Sequence, residues 1–509
     1  MMNSKFPNTR ILKLEEIAAW WLPKQMKFDV KKDSINALLP SLQRGFVWKS
    51  SQIEFLWDSI AQGFPIGSLS LAEYTEGSPA KGFGSDGEIK NPTHYLLDGQ
   101  QRATAIAMGF RDIWAEESID GERKATETLW LDLVLLDKNE RCFSFRVVTK
   151  AHPWGYQRTK PDKRISSEKA RNALKAFRIL NTASNTKSKE YIKPHELSLK
   201  HIFPWDAEAP IPVPLLIKAI KEGNGELNKV SKCLLALLEK VDFWNSREKY
   251  DEDAKRKFEK VKSILETPND SGFERIVTGI NEALKNTEVP APILRHIKFS
   301  PDIKTQSNED SDDHHVVFNL FKRINTGGTA LSREDINYSM LKSIWPGAPE
   351  IIEEKLLKEG MIAQPPRLVS LMSRLVLMIN NDDLNKGLQP ELSISQFESH
   401  LREEFKDELQ TYCETKGEDL LKSVWSLLTD NENSLPKTLA AQISQHSDDL
   451  MLLLMYWVHL LKENNQYECL SENTKKRTLG FFTAIAWFAN DPKKSAAHLS
   501  KKLIEKNAL

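Results

Sequence analysis

Leu96-Leu97-Asp98-Gly99-Gln100-Gln101-Arg102-Ala103-Thr104-Ala105 is the stretch of this sequence that decides its fold class. The apolar run Tyr95 to Leu97 is typical of a short strand, and the run Ala103 to Met108 is typical of a helix that ends at Gly109. Asp98-Gly99 between them predicts a tight turn. A strand that passes through a glycine turn into a helix indicates an α+β protein.

The same stretch is the strongest candidate for a functional site. Its turn leaves free backbone N–H groups at the positive end of a helix dipole, a position that binds phosphate. Arg102 adds a guanidinium that can bond two phosphate oxygens, and Asp98 could hold Mg²⁺ or orient a water. The residues alone leave an alternative, a plain corner in which Asp98 caps the helix and Arg102 lies on the surface.

An upstream segment, Leu39–Trp48, places Gln43 and Arg44 between apolar residues just before a helix. Ser51 and Glu54 predict a capping box for that helix. A functional interpretation brings Arg44 to the phosphates that Arg102 binds. Taken alone, the segment is more simply a loop anchored in the core by Phe46 and Trp48.

A downstream segment, Phe321–Ser332, carries two adjacent glycines after two basic residues. Such a turn tolerates anions, although most Gly-Gly loops are only turns. Ser332, with Asp335 three residues on, predicts the N-cap of the next helix.

Together, QRGFVW, LLDGQQRATAI and FKRINTGGTALS, in that order, resemble the N-terminal domain of GmrSD-type modification-dependent restriction endonucleases. The resemblance covers roughly residues 39–341, and Ala151–Tyr156 looks like a feature of a sub-family. It implies a ParB/sulfiredoxin-like fold. It also implies that the DGQQR segment binds and hydrolyses a nucleoside triphosphate (NTP), and that hydrolysis is coupled to restriction of phage or modified DNA.

Residue by residue, the resemblance implies that Asp98 is the catalytic acidic residue and the Mg²⁺ ligand, and that Arg102 is the catalytic residue that holds the phosphates. The nucleotide-binding residues that it implies are Gln43, Arg44, Gly99, Gln100, Gln101, Arg323, Asn325, Thr326, Gly327 and Gly328.

The pattern of elements, taken with the resemblance, predicts four segments. Residues 1–164 form the first part of a ParB-like NTP-binding domain, and 165–288 form a helical insertion. Residues 289–345 form the second part of the ParB-like domain, with the RINTGG loop, and 346–509 form an all-helical C-terminal domain. The predicted fold class is therefore α+β, followed by a helical domain.

Composition narrows the class of protein. Of 509 residues, 40% are hydrophobic and 28% charged, which is typical of a globular protein. Its four cysteines lie far apart without a CxxC pair, which argues against a disulfide scaffold or a zinc site. The run Leu450–Val458 is far shorter than the roughly 20 residues that span a bilayer, and Met1–Arg10 lacks the apolar core of a signal peptide. We therefore expect a cytoplasmic protein that does not bind membrane.

Lysine plus arginine equals aspartate plus glutamate, at 71 each, so a DNA-binding surface must be a local patch. Basic residues are dense between Gln157 and Arg178, and the predicted DNA contacts are Arg158, Lys160, Lys163, Arg164 and Arg171. The alternative is one charged face of a solvated helix.

A nuclease centre is the remaining question, because many relatives carry a C-terminal HNH-type nuclease. The His-x-x-Pro string His201–Pro204 lacks a nearby second histidine, so a loop is the simpler interpretation, and Asp312–His315 is more simply a solvated acidic loop. The leading hypothesis is a Mg²⁺-dependent NTPase of a defence system, acting on DNA alone or with a separate nuclease. A nucleotide-switched regulator or DNA-binding adaptor, and an endonuclease with an unrecognised active site, remain alternatives.

Overall fold

The computed structural model of the chain describes two compact units, one within residues 8–294 and one within 332–505. The described ranges are 8–22, 34–40, 46, 48–74, 80–81, 92–115, 127–135, 141–183, 197–241, 244, 252–269, 272–294, 332–345, 347–359, 364–380, 388–401, 404–429 and 435–505.

A mixed sheet is the frame of the first unit. In spatial order its strands are β1, β9, β3, β5, β2 and β4. Their bounds are β1 Asn8–Lys13, β2 Ala37–Pro40, β3 Ser70–Glu73, β4 Ala80–Lys81, β5 His94–Asp98 and β9 Glu288–Leu294. The predicted strand around Pro290–Pro292 is confirmed as part of β9, which pairs antiparallel with β1 and parallel with β3.

Two helices of this unit pack against each other. They are α2, Ser50–Ala61, and α3, Gln100–Met108, and the short helix α1, Leu14–Ala18, packs on α3. Trp57 of α2 is fully buried and donates its indole N–H to the Ala105 carbonyl of α3 at 2.8 Å. The predicted cap of α2 is wrong by two residues, because the N-cap is Lys49, whose backbone N–H donates to Gln52 Oε1 at 2.9 Å. This packing fixes the direction in which α3 leaves the sheet.

A second, antiparallel sheet contains β7 Ser144–Thr149, β6 Glu127–Asp132 and β8 Pro210–Pro212 in that order. The predicted pairing of the strands around 129–136 and 142–148 is confirmed by β6 and β7. The segment predicted as a helical insertion supplies β8, and its helices are α4 Ser167–Ala183, α5 Val213–Glu222, α6 Leu227–Leu238, α7 Glu252–Glu266 and α8 Phe273–Asn286. Both sheets and these helices share one apolar core.

In the second unit, every element of the described ranges is a helix. The α-helices are α9 Arg333–Ile344, α10 Pro365–Asn380, α11 Ile394–Leu401, α12 Phe405–Tyr412, α13 Glu418–Thr429, α14 Lys437–His446, α15 Asp448–Glu463, α16 Glu472–Phe488 and α17 Pro492–Glu505. They bury a core of their own around α10 and α15. The predicted Ser332 cap of α9 is confirmed, since Asp335 N–H donates to the Ser332 hydroxyl at 3.0 Å.

The chain is thus an α+β protein, as expected. The four-segment division and the ParB-like assignment stay predictions. Among the described helices, none combines the length and the apolar character needed to cross a bilayer.

Candidate functional site

The turn between β5 and α3 has the geometry that the sequence predicts. β5 ends at Asp98, and α3 begins at Gln100. Gly99 between them is the N-cap, with φ 96°, a left-handed conformation that glycine adopts at no steric cost. Because the cap position holds a glycine, the alternative in which Asp98 caps the helix is wrong.

Arg102 lies in a pocket of backbone that we call the glycine cradle, formed by Gly67, Ser68 and Gly99. The guanidinium donates to the Ser68 carbonyl. A Cβ at Gly67, where φ is 83°, would lie 3.3 Å from the guanidinium carbon, and one at Gly99 would lie 3.5 Å from Nη1 and 2.2 Å from Leu69 Cδ2. A side chain at Gly67 would crowd the guanidinium, and one at Gly99 would collide with Leu69. Because Arg102 is half-buried and bonded to Ser68, it is not the free surface residue of the alternative.

The electrostatics of the cradle favour an anion. Burial lowers the pKa of the Arg102 guanidinium, and the negative charge of the half-buried Asp98 opposes that shift. An arginine keeps its charge even so. The turn therefore presents a partly dehydrated cation beside one carboxylate, at the positive N-terminal end of a helix.

Gln101 connects this turn to the upstream segment. Its Oε1 accepts a hydrogen bond from the Trp48 backbone N–H at 3.2 Å. Trp48 and Phe46 also pack partly buried against the core, as the anchored-loop interpretation expects. The structure thus brings the end of QRGFVW to DGQQR.

Gln100 is buried at 7% exposure, and within the described part of the chain its Oε1 has no hydrogen-bond partner. An unpaired buried acceptor costs about 1–3 kcal/mol. Such an atom beside a candidate phosphate site suggests a donor that belongs to a ligand.

The other predicted nucleotide-binding residues, Gln43, Arg44, Arg323, Asn325, Thr326, Gly327 and Gly328, lie outside the described residues. Their convergence on the DGQQR turn stays a prediction. Asp312–His315 also lies outside.

A buried charge network, which sequence reasoning missed, lies under the second sheet. Glu54 is fully buried on α2 and accepts from Arg141 Nη1 and from the Val147 N–H, both at 3.0 Å. Burial raises the pKa of Glu54, while the charges of Arg146 and Arg141 oppose the rise. Asp58, one turn on, accepts from the Cys142 and Phe143 N–H groups at 3.1 and 2.7 Å. The sequence did contain a sign of this network, because Glu54 and Asp58 lie four residues apart in an otherwise apolar helix.

The predicted DNA contacts divide into two kinds. Arg158 donates to Asp132 at 2.7 Å and to Glu208 at 2.9 Å, and its side chain is 16% exposed. That structural use of its guanidinium argues against a contact with DNA. Lys160, Lys163, Arg164 and Arg171 are exposed, as a DNA contact requires.

Nothing in the described structure builds a nuclease centre around His201. This residue ends a 3-10 turn, Leu199–His201, and in the described ranges no three His, Cys, Asp or Glu side chains cluster as a metal site needs. In the second unit His459 is buried and bonded to the Tyr412 hydroxyl at 2.9 Å, which confirms it as a satisfied core residue.

Comparison with known families gives one match. The family model for "GmrSD restriction endonuclease, N-terminal domain" matches residues 27–342, more than half of the chain. No curated protein matches the chain.

Proposed function

Because this chain belongs to the family of GmrSD restriction endonuclease N-terminal domains, we propose that it is the NTP-hydrolysing component of a restriction system against foreign DNA. We further propose that its first unit has a ParB/sulfiredoxin-like fold. The NTP would bind at the DGQQR turn, and its hydrolysis would drive action on DNA, by this chain or by a separate nuclease.

The glycine cradle is the observation that carries this proposal. Partial burial of an arginine against backbone costs free energy unless its charge is used, because burial disfavours the charged form. In the cradle the Arg102 guanidinium donates to the Ser68 carbonyl. It also lies beside Asp98, at the N-terminus of α3. These are the groups that bind a phosphate chain and a developing negative charge.

The residues of the turn also fit Mg²⁺ carried by the NTP. Protein Mg²⁺ sites take one or two carboxylates, and substrate phosphates and waters complete the shell. Asp98 supplies one such carboxylate, half-exposed at the strand end. Bound there, the ion would neutralise phosphate charge.

Each residue of the turn would then have its own role in hydrolysis. Arg102 would hold the terminal phosphate and stabilise charge that grows on its oxygens. Asp98 would orient the attacking water. Gln100 Oε1, which has no partner among the described residues, would accept from a donor on the nucleotide or from that water. Gln43, Arg44 and the Arg323–Gly328 loop would close the pocket.

An NTPase assay tests the proposal. The full chain is incubated with each of the four NTPs and Mg²⁺, with and without phage DNA, and phosphate release is measured. Arg102→Ala and Asp98→Ala should each lower the turnover about 10²–10³-fold, the effect of removing one transition-state partner. Arg256→Ala, on an exposed face of α7, is the matched control and should leave turnover unchanged.

Failure to release phosphate from any NTP would contradict the proposal. Survival of both nucleotide binding and phage restriction in Asp98→Ala would instead favour the nucleotide-switched regulator. Plasmid nicking by the chain alone would favour the endonuclease.

A further inference from the structure

A surface on the first unit combines aromatic rings with basic side chains. We call it the aromatic–basic surface and define it as His152, Trp154, Tyr156, Lys160, Lys163 and Arg164. It is formed by the chain that follows β7 and leads to α4. The proposed nucleotide chemistry uses none of these residues.

The rings form a compact group. The His152 and Tyr156 ring centroids lie 5.0 Å apart with a 53° tilt, and those of His152 and Trp154 lie 6.3 Å apart. All three side chains are only partly buried. Unstacked bases stack on accessible aromatic rings, at about 1–3 kcal/mol per base.

The backbone that carries the rings is held by the buried charge network. Arg146 donates to the carbonyls of Tyr156 and Gln157, the latter at 2.8 Å, and is itself 1% exposed. The Trp205 N–H donates to the Trp154 carbonyl at 3.0 Å. The rings are therefore presented on a preorganised loop, which lowers the ordering cost of binding.

Within the described ranges, the cations of this surface form no ion pairs, unlike the basic residues beside them. Arg158 and Lys169 in the same stretch form ion pairs with Asp132 and Asp206. By contrast, Lys160, Lys163 and Arg164 are exposed and form no ion pair with any residue that the structure describes. Arg164 also lies close enough to act electrostatically on both His152 and Tyr156. Unpaired positive charge beside rings is complementary to a nucleic-acid backbone with accessible bases.

This surface is connected to the candidate site by a short path. The Tyr156 side chain lies near that of Ser50, at the start of α2. Two residues earlier, Trp48 donates to Gln101 of the DGQQR turn. A strand bound at the surface would therefore lie beside the segment that contacts the proposed nucleotide site.

We propose that the aromatic–basic surface binds single-stranded DNA, or a locally unpaired stretch of duplex. Bases contact the His152 and Tyr156 rings, and phosphates contact Lys160, Lys163 and Arg164. Because bases of an intact duplex are stacked inside, rings of this kind distinguish open from paired DNA. This role deepens the proposed function, since it names the form of DNA that the system senses, but the binding itself does not require hydrolysis.

Fluorescence anisotropy with a labelled 20-nucleotide oligo-dT tests the proposal on the full chain, without nucleotide. Tyr156→Ala and His152→Ala should each weaken binding about 5-fold or more, the low end of one lost stacking contact. Tyr156→Phe should bind as the wild type does, because the ring remains. The triple variant Lys160→Ala/Lys163→Ala/Arg164→Ala should lower the slope of log affinity against log salt by about 2, at roughly 0.7 per phosphate contact.

The double variant Lys232→Ala/Lys240→Ala, at exposed positions on α6 and in the turn that follows it, is the charge control and should bind as the wild type does. Circular dichroism checks that each variant is folded. Equal affinity of wild type, Tyr156→Ala and the triple variant for oligo-dT would overturn the proposal, as would tighter binding to the matched duplex or to oligo-U. Oligo-dT binding that follows the expected pattern in a protein without NTPase activity would support this inference while rejecting the proposed hydrolysis.

Discussion

Arg102 and Arg146 are two arginines of the same unit that bond backbone carbonyls, yet their surroundings differ. Arg146 bonds two carbonyls and lies in the field of the buried Glu54, within a network that also contains Arg141. Arg102 bonds one carbonyl in the glycine cradle and has the half-buried Asp98 as its opposing charge. The charges around Arg146 therefore hold loops together. Arg102 has N–H groups left that can bind a ligand, and we therefore assign function to Arg102.

Removal of Glu54 should give the largest effect on stability. Glu54→Ala leaves Arg141 and Arg146 buried without their carboxylate and frees the Val147 N–H. Loss of one partner of a buried pair costs about 3–5 kcal/mol. Because this loss makes opening of β7 easier, we expect faster amide hydrogen exchange in the β7 peptides of the full chain. Exchange in the second unit should be unchanged.

Glu259→Ala, an exposed glutamate on α7, is the control and should change stability by no more than about 0.5 kcal/mol. A Glu54→Ala protein with wild-type exchange in β7 would show that the network is not structural. The structural role that we assign to Arg146, in contrast to Arg102, would then be wrong.

Comparison of Gly67→Ala with Gly63→Ala should separate the effect of backbone strain on stability from the effect of the cradle on NTPase turnover. Its Cβ meets the Arg102 guanidinium at 3.3 Å, whereas Gly63→Ala introduces a Cβ with nothing within 4 Å among the described atoms. Both glycines have positive φ, 83° and 73°, so each substitution should cost about 1–2 kcal/mol of stability. Only Gly67→Ala should also lower the NTPase turnover, by about tenfold, because it displaces Arg102.

Equal turnover in Gly67→Ala and Gly63→Ala would contradict the role of the cradle. Equal loss of stability with unequal turnover is the expected result. Urea unfolding and phosphate release measured on the same preparations give both quantities.

The smallest effect concerns His152, a residue of the aromatic–basic surface. Burial lowers its pKa, and the charge of Arg164 lowers it further. The unfolded chain therefore takes up this proton at higher pH than the folded chain does. The stability contributed by neutral His152 is present above about pH 6.5, the ordinary histidine value, and is lost as the pH falls through the folded-state pKa.

Urea unfolding of wild type and His152→Gln between pH 7.5 and 5.5 measures this. The difference in unfolding free energy, wild type minus variant, should fall as the pH is lowered. A difference that rises on acidification would mean that protonated His152 is stabilised in the folded state.

Local sequence patterns predicted the site turn well. Apolar strand, Asp-Gly and helix follow each other within 15 residues, so local chemistry decides the structure of β5, Gly99 and α3. The same holds for the Ser332 cap of α9. Gly67 was missed because its role depends on Arg102, 35 residues later, and no local pattern reveals such an approach.

Long-range pairing explains the other differences. Pro210–Pro212 forms β8 because β6 offers it an antiparallel partner about 80 residues earlier. Glu54 and Asp58 are bonded to N–H groups of β7 and of the residues just before it, and those N–H groups need acceptors. A single sequence shows neither partner. Arg158 was taken for a DNA contact for the same reason, since Asp132 and Glu208 are distant in the chain.

The pairing of β1 with β9 has a consequence for synthesis. Asn8 pairs with Ile293, and β9 also covers one edge of β3, the neighbour of β5. At about 5–20 residues per second, a ribosome needs about 15–60 s between these two partners. For that time the edges of β1 and β3 are open on the nascent chain, so we expect its folding in the cell to depend on chaperones that protect them.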